Sequence, residues 1–176
     1  MIPWIVFTLA LATILHYIAL AFVPRIMMKR TVAGLQRLLG GDGWNRMSYG
    51  GLSGGRKRVA RTSPDVASTF GTYNVAPAPL RIQVDVPSGD SYWSLALYAW
   101  NTQNFYVVND RTAPSPTFTL VVVPRGSHHQ PAPGEHVVIA PTPRGMIVQR
   151  MILRNPASAA EIARVRTALR KTTLVP

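Results

Sequence analysis

The pattern of hydrophobic positions divides the chain into a continuous apolar segment and a later region of short alternating runs. Residues 1–24 contain no Asp, Glu, Lys or Arg. A helix of this length extends a little over ~30 Å, which is enough to cross the hydrocarbon core of a bilayer. We therefore predict a single transmembrane helix over residues 1–24.

A cleaved signal peptide is the alternative for this segment. Signal peptides have a basic start, a shorter apolar run and a small-residue cleavage site. Here no Lys or Arg precedes the run and no Ala-x-Ala pattern follows it, so we expect the helix to be retained. Trp4, His16 and Tyr17 are its candidate contacts with the membrane interface or with partner helices, because a polar ring in a bilayer needs a partner.

Residues 25–40 carry a second helical pattern that ends at Gly40-Gly41. At about 100° per residue, six apolar residues fall mostly on one side: Met27, Met28, Val32, Leu35, Leu38 and Leu39. Four cations fall on the other side: Arg25, Lys29, Arg30 and Arg37. This pattern predicts a basic amphipathic juxtamembrane helix that lies along lipid headgroups or, alternatively, packs on the domain or on a partner subunit.

Residues 41–69 are rich in glycine and read as a basic linker. Its cations are Arg56, Lys57, Arg58 and Arg61. No Gly-Lys-Ser/Thr sequence closes the glycine run, so it is not a phosphate-binding P-loop. No Tyr or Phe is interleaved with the cations, which argues against a nucleic-acid surface. We expect these cations to contact lipid headgroups or an acidic partner.

The overall composition narrows the chemistry. The formal net charge of +12 suits an anionic membrane surface, nucleic acid or an acidic partner, and charge alone does not choose among them. The absence of cysteine excludes disulfides, thiolate nucleophiles and cysteine-ligated metal centres.

Residues 70–176 alternate short strand patterns with turns. The predicted strands are 80–86, 91–100, 105–108, 117–123, 136–140 and 146–153. Ser158, with Glu161 three residues later, predicts the start of a helix over 159–171. The predicted fold is mainly β: an antiparallel β-sandwich or jelly-roll-like domain with a C-terminal helix, preceded by the two membrane-associated helices.

No catalytic signature emerges from the domain. His128, His129, Glu135 and His136 are the only His/carboxylate cluster, and we interpret their segment as an exposed loop rather than a metal site. Asp85 and Asp90 could in principle act as an acid–base pair. Asp85 lies on the polar face of a predicted strand and Asp90 in a turn, so we do not expect this pairing. No Gly-x-Ser-x-Gly elbow is present. We predict no catalytic residue, no metal and no cofactor.

The densest polar set lies at the two ends of the predicted strand 105–108. It comprises Asn101, Thr102, Asn104, Asn109, Asp110 and Arg111. Asn and Asp at strand ends usually bond to nearby backbone, which favours a loop-tying role. A polar ligand pocket is the alternative.

The stretch DSYWSLALYAWNTQNFYVVNDR resembles the bacterial family called domain of unknown function 1254. The segments APAPLRIQVDVP and PTPRGMIVQRMILRNPASAAEIARVRTAL are similar to its preceding strand and its closing strand and helix. The resemblance covers about residues 70–171. It implies a β-sandwich outside the cytoplasmic membrane and brings no activity with it.

The topology signals conflict, because the cations that follow the apolar segment favour a cytoplasmic domain. We side with the resemblance, since lipid binding also explains those charges. Our hypothesis is a non-enzymatic, single-pass protein of a bacterial inner membrane. It would be an accessory or assembly subunit that contacts the bilayer and other inner-membrane subunits and presents a periplasmic β-sandwich. A membrane-anchored ligand-binding module or enzyme, with a pocket near 101–111, is the alternative. A cytoplasmic nucleic-acid-binding protein is a third reading, and we expect no nucleic-acid partner.

Overall fold

The computed structural model describes residues 2–41, 43–48, 63, 65–89 and 91–175. These residues form a long N-terminal helix, a set of strands and a C-terminal helix. In chain order the elements are α1 (Ile2–Leu38), β1 (Arg46–Ser48), β2 (Val66–Asn74), β3 (Leu80–Asp85), β4 (Trp93–Ala99), β5 (Asn104–Asn109), β6 (Thr117–Pro124), β7 (Glu135–Ala140), β8 (Arg144–Ile152), α2 (Ala159–Arg170) and β9 (Thr173–Val175).

The strands form two sheets, which confirms the predicted mainly-β sandwich. One sheet has the order β1-β2-β8-β4-β5 and the other the order β7-β6-β3-β9. All pairs are antiparallel except β6 and β7, which run parallel. A parallel pair needs a crossover, since a tight hairpin can join only antiparallel strands, and residues 125–134 provide it.

The core lies between the sheets and follows the two-residue period of the strands. On β3, the inward Leu80, Ile82 and Val84 alternate with exposed or half-buried positions. On β4 almost every residue is buried, because the outward-facing positions are covered as well. Each strand predicted from the sequence corresponds to one of β3 to β8, with shifted ends.

Three strands had no clear sequence signal. β1 and β9 are three residues long, and the inward side of β2 carries the small or polar Ala67, Thr69 and Gly71. Pairing decides their conformation: β1 pairs with β2, β2 with β8, and β9 with β3. The sandwich therefore begins before residue 70, since β1 and the start of β2 lie in the predicted linker 41–69.

α1 is one helix of 37 residues that continues through Pro24. From the change of pattern, the sequence had predicted two helices that meet at this residue, an apolar one over 1–24 and an amphipathic one over 25–40. An internal proline removes one helical hydrogen bond. The helix continues because Met28, Val32 and Leu35 pack on the sandwich and hold the segment after Pro24. The two predicted segments, 1–24 and 25–40, thus form a single element.

α2 begins as predicted at Ser158, whose Oγ accepts a hydrogen bond from the Glu161 amide. In a full capping box the Glu161 carboxylate would also accept from the Ser158 amide, but that amide donates to the Asn155 carbonyl. The Glu161 carboxylate instead accepts from the amides of Arg154 and Asn155, each over 2.8 Å. These bonds lower the pKa of Glu161 and fix the turn between β8 and α2.

Candidate functional site

The first two-thirds of α1 projects away from the sandwich with its apolar side chains exposed. Ile2, Trp4, Leu9 and Phe22 are each more than half exposed. Among the described residues, this is the one helix long and apolar enough to span a membrane, and none of its most apolar stretch is buried. A contiguous exposed apolar surface of this length is typical of a segment that contacts a bilayer or a partner.

Trp4, His16 and Tyr17 lie on three different sides of this helix. At about 100° per residue they point roughly 120°, 100° and 140° apart. Trp4 forms an edge contact with Phe7 and His16 with Tyr17, at centroid distances of 6.5 and 6.0 Å. The His16 ring forms no hydrogen bond with the described part of the chain. A single neighbouring helix therefore cannot contact all three predicted residues.

The last third of α1 packs on the outer face of the five-stranded sheet. Met28, Val32 and Leu35 are 4%, 2% and 7% exposed and recur on one side of the helix. α1 contacts β2 and β8. The outward-facing Thr72 and Val148 of these strands are also buried, as expected beneath a helix.

This packing orients the apolar part of α1 relative to the sandwich. Tyr17 points within about 20° of Met28 around the helix axis, so it lies on the side of the sandwich. His16 points about 120° away from Met28, so a helix that bonds to it would approach from another side.

The predicted cations of α1 are exposed around the docked stripe. Arg25, Lys29, Arg30 and Arg37 are all exposed. The Arg25 guanidinium donates to the Ala21 carbonyl one turn earlier, which keeps this charge close to the helix. The other predicted cations, Arg56, Lys57, Arg58 and Arg61, lie outside the described residues.

A cluster that sequence reasoning missed fixes the connection from α1 to β1. The Trp44 and Trp100 rings are 6.3 Å apart, and the Arg144 guanidinium lies 5.3 Å from the centroid of Trp44. Asn45 adopts a left-handed φ of 57°. Its side-chain nitrogen donates to the Asn74 carbonyl over 3.1 Å, and its side-chain oxygen accepts from the Asn74 backbone amide over 2.7 Å. A lone tryptophan in a glycine-rich segment was the available signal.

The predicted polar set is divided between the two ends of β5. Asn101, Thr102 and Asn104 lie at the β4–β5 turn, where the Asn101 side chain accepts from the Gln103 amide over 3.3 Å. Thr102 has a φ of 69°. Asn109, Asp110 and Arg111 lie at the other end, about 17 Å away for a strand of six residues.

The second group bonds to nearby backbone. The Asn109 carboxamide oxygen accepts from the amides of Arg111 and Thr112, over 2.9 and 3.0 Å. The Asp110 carboxylate accepts from the Trp93 amide over 3.3 Å. These contacts correspond to the loop-tying interpretation, and the six residues do not converge on one cavity.

Glu135 ties the His/carboxylate segment to the four-stranded sheet, and we call its contacts with Arg81, His129 and Ala132 the Glu135 latch. Glu135 contacts Arg81 Nε over 3.0 Å, His129 Nε2 over 3.3 Å and the Ala132 amide over 3.0 Å. The Ala132 N–H and the Arg81 guanidinium lower the pKa of Glu135 to about 2. His136 instead packs edge-on against Phe118.

The latch holds the crossover against the sheet. Val121 and Val123, on the face of β6 that points away from the core of the sandwich, are also fully buried. The segment 127–136 is exposed as predicted except at His129 and Glu135, whose side chains are 16% and 11% exposed. Within the described ranges, no three His, Asp or Glu side chains are grouped to hold a metal. Asp85 pairs with Lys171 at 3.6 Å, and Asp90 lies outside those ranges.

A buried amide network was also not predicted. Gln149 is fully buried between the sheets. In the orientation that satisfies the whole amide, its nitrogen donates to Thr69 Oγ1 (3.1 Å) and the Leu169 carbonyl (3.2 Å). Its oxygen accepts from Trp93 Nε1 (2.8 Å) and Thr172 Oγ1 (3.0 Å). All four hydrogen-bonding positions of the amide are used, so its role is to join α2 and its following turn to the core.

Comparison with known proteins agrees with this architecture. A family described as "Protein of unknown function (DUF1254)" matches residues 44–175. No curated protein matches the chain. The VPA0106 protein from Vibrio parahaemolyticus matches with a TM-score of 0.56 and 16% identity, over 64% of this chain and 28% of that one.

An uncharacterized protein from Burkholderia cenocepacia matches with a TM-score of 0.39 and 19% identity, over 52% of this chain and 27% of that one. The chain spans less than a third of each of these solved structures. The likeness to the Vibrio protein concerns the fold alone.

Proposed function

This chain belongs to the DUF1254 family of proteins of unknown function, and we propose that it is a non-enzymatic, single-pass inner-membrane protein acting as an accessory or assembly subunit of a membrane complex. The observation that carries the proposal is the continuity of α1. Its exposed apolar part suits a bilayer, and its last turns are buried on the sandwich. A domain held this closely to a spanning helix works at the membrane surface.

The partner subunits in this proposal contact α1 within the bilayer. His16 supports this, because an imidazole in the hydrocarbon region needs a hydrogen-bonding partner and the described residues offer none. It points away from the docked sandwich, toward a side with the small Ala12 and Ala19, where another helix can approach closely. Trp4 and Tyr17 would face the lipid or different neighbours.

The cations that follow the apolar part contact the membrane surface in this proposal. Arg25, Lys29 and Arg30 are exposed within about two turns of its end and suit anionic headgroups. We place the sandwich in the periplasm, as the family resemblance implies, although these charges alone would favour the cytoplasmic side.

The alternative, a ligand-binding module or enzyme with a pocket near 101–111, would need the polar set to converge. Its two halves lie at opposite ends of β5, and Asn101, Asn109 and Asp110 bond to local backbone. This arrangement favours the accessory role over the pocket.

Native electrophoresis of the full chain, solubilised from its own membranes in a mild detergent, tests the proposal. We expect migration with a larger complex, and the His16→Leu variant should release the protein to its monomeric size. Leu20→Ile, a change that keeps the apolar surface, is the control. A wild-type protein that migrates only as a monomer would contradict the accessory role.

A phosphatase fused to the C-terminus tests the topology separately. Activity requires an oxidising periplasm, so we expect an active fusion, and an inactive fusion of normal abundance would contradict the periplasmic assignment.

A further inference from the structure

β5 differs from the other edge strands of the sandwich. β1 and β9 are three residues long, and β7 carries Glu135 and His136. β5 has six residues, NFYVVN, none of which is charged at neutral pH. Natural edges are usually shortened, charged or covered to prevent pairing with other chains. At its last residue β5 is covered by the turn that follows, since the Asn109 N–H donates to Thr112 Oγ1 and the Asn109 carbonyl accepts from the Thr112 and Ala113 amides. Between this turn and the register shift near Tyr98, β5 lacks these protections around Val107.

The hydrogen-bonding pattern shows which backbone groups of β5 face outward. The Asp110 amide donates to the Trp93 carbonyl, and the Ala99 amide donates to the Gln103 carbonyl. Bonded and non-bonded pairs alternate along an antiparallel ladder. The Ala96–Val107 pair is therefore non-bonded across β4 and β5, so the N–H and C=O of Val107 point to the free edge.

The side chains around this edge suit another strand. Val107 is 49% exposed. It lies on the same face of the sheet as Val148 of β8, the face on which α1 packs. Arg111 lies just beyond the strand and is exposed, with only its backbone amide in a hydrogen bond among the described contacts. The edge thus offers free backbone groups, an apolar side chain and a nearby cation.

A second copy of the chain does not fit this edge in the favoured antiparallel arrangement. Two copies joined in that way are related by a two-fold axis perpendicular to the sheet. α1 lies along the sheet, since three residues over two turns are buried on it. The same rotation would point the two membrane helices in opposite directions, which one bilayer does not allow.

We propose that the free edge of β5 binds an extended segment of a different membrane-complex subunit, which adds a sixth strand beside Val107. The segment has β-branched or other apolar residues at alternate positions and an acidic residue that meets Arg111. This inference rests on the proposed accessory function and names the surface through which the partner is held.

Native electrophoresis of the full chain from its own membranes, with two variants of one position, tests the inference. Val107→Pro removes the outward N–H without breaking the β4–β5 ladder, and proline is accepted at such edge positions. Val107→Thr keeps the N–H and the branched shape. We expect at least a tenfold loss of the complex with Val107→Pro, and retention with wild type and Val107→Thr.

Each outcome decides between distinct conclusions. A complex that survives Val107→Pro, or that is lost equally with Val107→Thr, overturns strand addition and leaves the accessory function standing. A wild-type monomer overturns both. Thermal unfolding of the purified variants checks that each is folded. A photocrosslinker at Val107 should join a different polypeptide, and a product of two copies of this chain would also overturn the inference.

Discussion

The indole Nε1 of Trp93 donates a hydrogen bond of 2.8 Å to the Gln149 side-chain oxygen, and both side chains are fully buried between the two sheets. The same amide bonds to Thr69, Thr172 and the Leu169 carbonyl. A polar group of this kind stabilises the fold only while every partner is bonded, since a buried donor or acceptor without a partner is costly.

Gln149→Leu should therefore destabilise the domain strongly. The change removes the shared partner of the Trp93 indole and the Thr172 hydroxyl while nearly conserving volume. We expect the free energy of unfolding to fall by about 3 kcal/mol, measured by urea denaturation followed by tryptophan fluorescence. Gln103→Leu, at an exposed turn, is the control and should change stability little. A loss below about 1 kcal/mol for Gln149→Leu would contradict the network.

The docking of α1 can be tested with two leucines of the same helix. Leu35 is 7% exposed and Leu38 is 61% exposed. Leu35→Ala should cost about 2–4 kcal/mol because it leaves a cavity at the interface with the sheet. Leu38→Ala should cost far less. Urea unfolding in detergent measures both, and limited proteolysis should cleave near residues 39–44 faster in the Leu35 variant. Equal effects would contradict the observed docking.

The Glu135 latch predicts a dependence of stability on acid. Its pKa is lowered to about 2 in the folded chain by the Ala132 N–H and Arg81, against about 4.3 when unfolded. Because the folded pKa is depressed, its contribution is full above about pH 4.3 and is lost as the pH falls toward 2.

Glu135→Gln tests the latch, since the amide does not titrate. The urea midpoints of wild type and variant should differ at pH 6 and converge between pH 4.3 and 2. Glu161, whose pKa is also lowered, is intact in both proteins and cancels in this comparison. A difference that is constant over this range would contradict the latch.

Gly145 is required where β8 meets the end of β4. A Cβ atom there would overlap the Tyr98 carbonyl and the Tyr73 hydroxyl, and neither backbone nor buried ring moves easily. Gly145→Ala should lower the melting temperature by several degrees, consistent with a cost of roughly 1–3 kcal/mol for overpacking. Gly34→Ala is the matched control, because nothing lies within 4 Å of its Cβ position in α1. The control should be neutral or stabilising.

Much of the architecture was predictable because it depends on local pattern. The strands β3 to β8 follow from alternating apolar residues between turns, and α2 from Ser158 and Glu161. β1, β2 and β9 were missed because pairing, rather than their composition, decides them. The hydrogen bonds of the buried Gln149 and the ring contact between Trp44 and Trp100 join residues far apart in the chain, so no local pattern indicates them.

The sequence by itself determined the apolar helix, the mainly-β domain and the family, since each depends on the order of side chains along the chain. Only the tertiary structure decided that α1 continues through Pro24 and packs on the sheet, because Met28, Val32 and Leu35 are buried against that sheet. It also decided that the polar set around residues 101–111 separates along β5, and that Val107 points its backbone to a free edge. These depend on which strands pair and in which register, which is a property of the assembled sandwich.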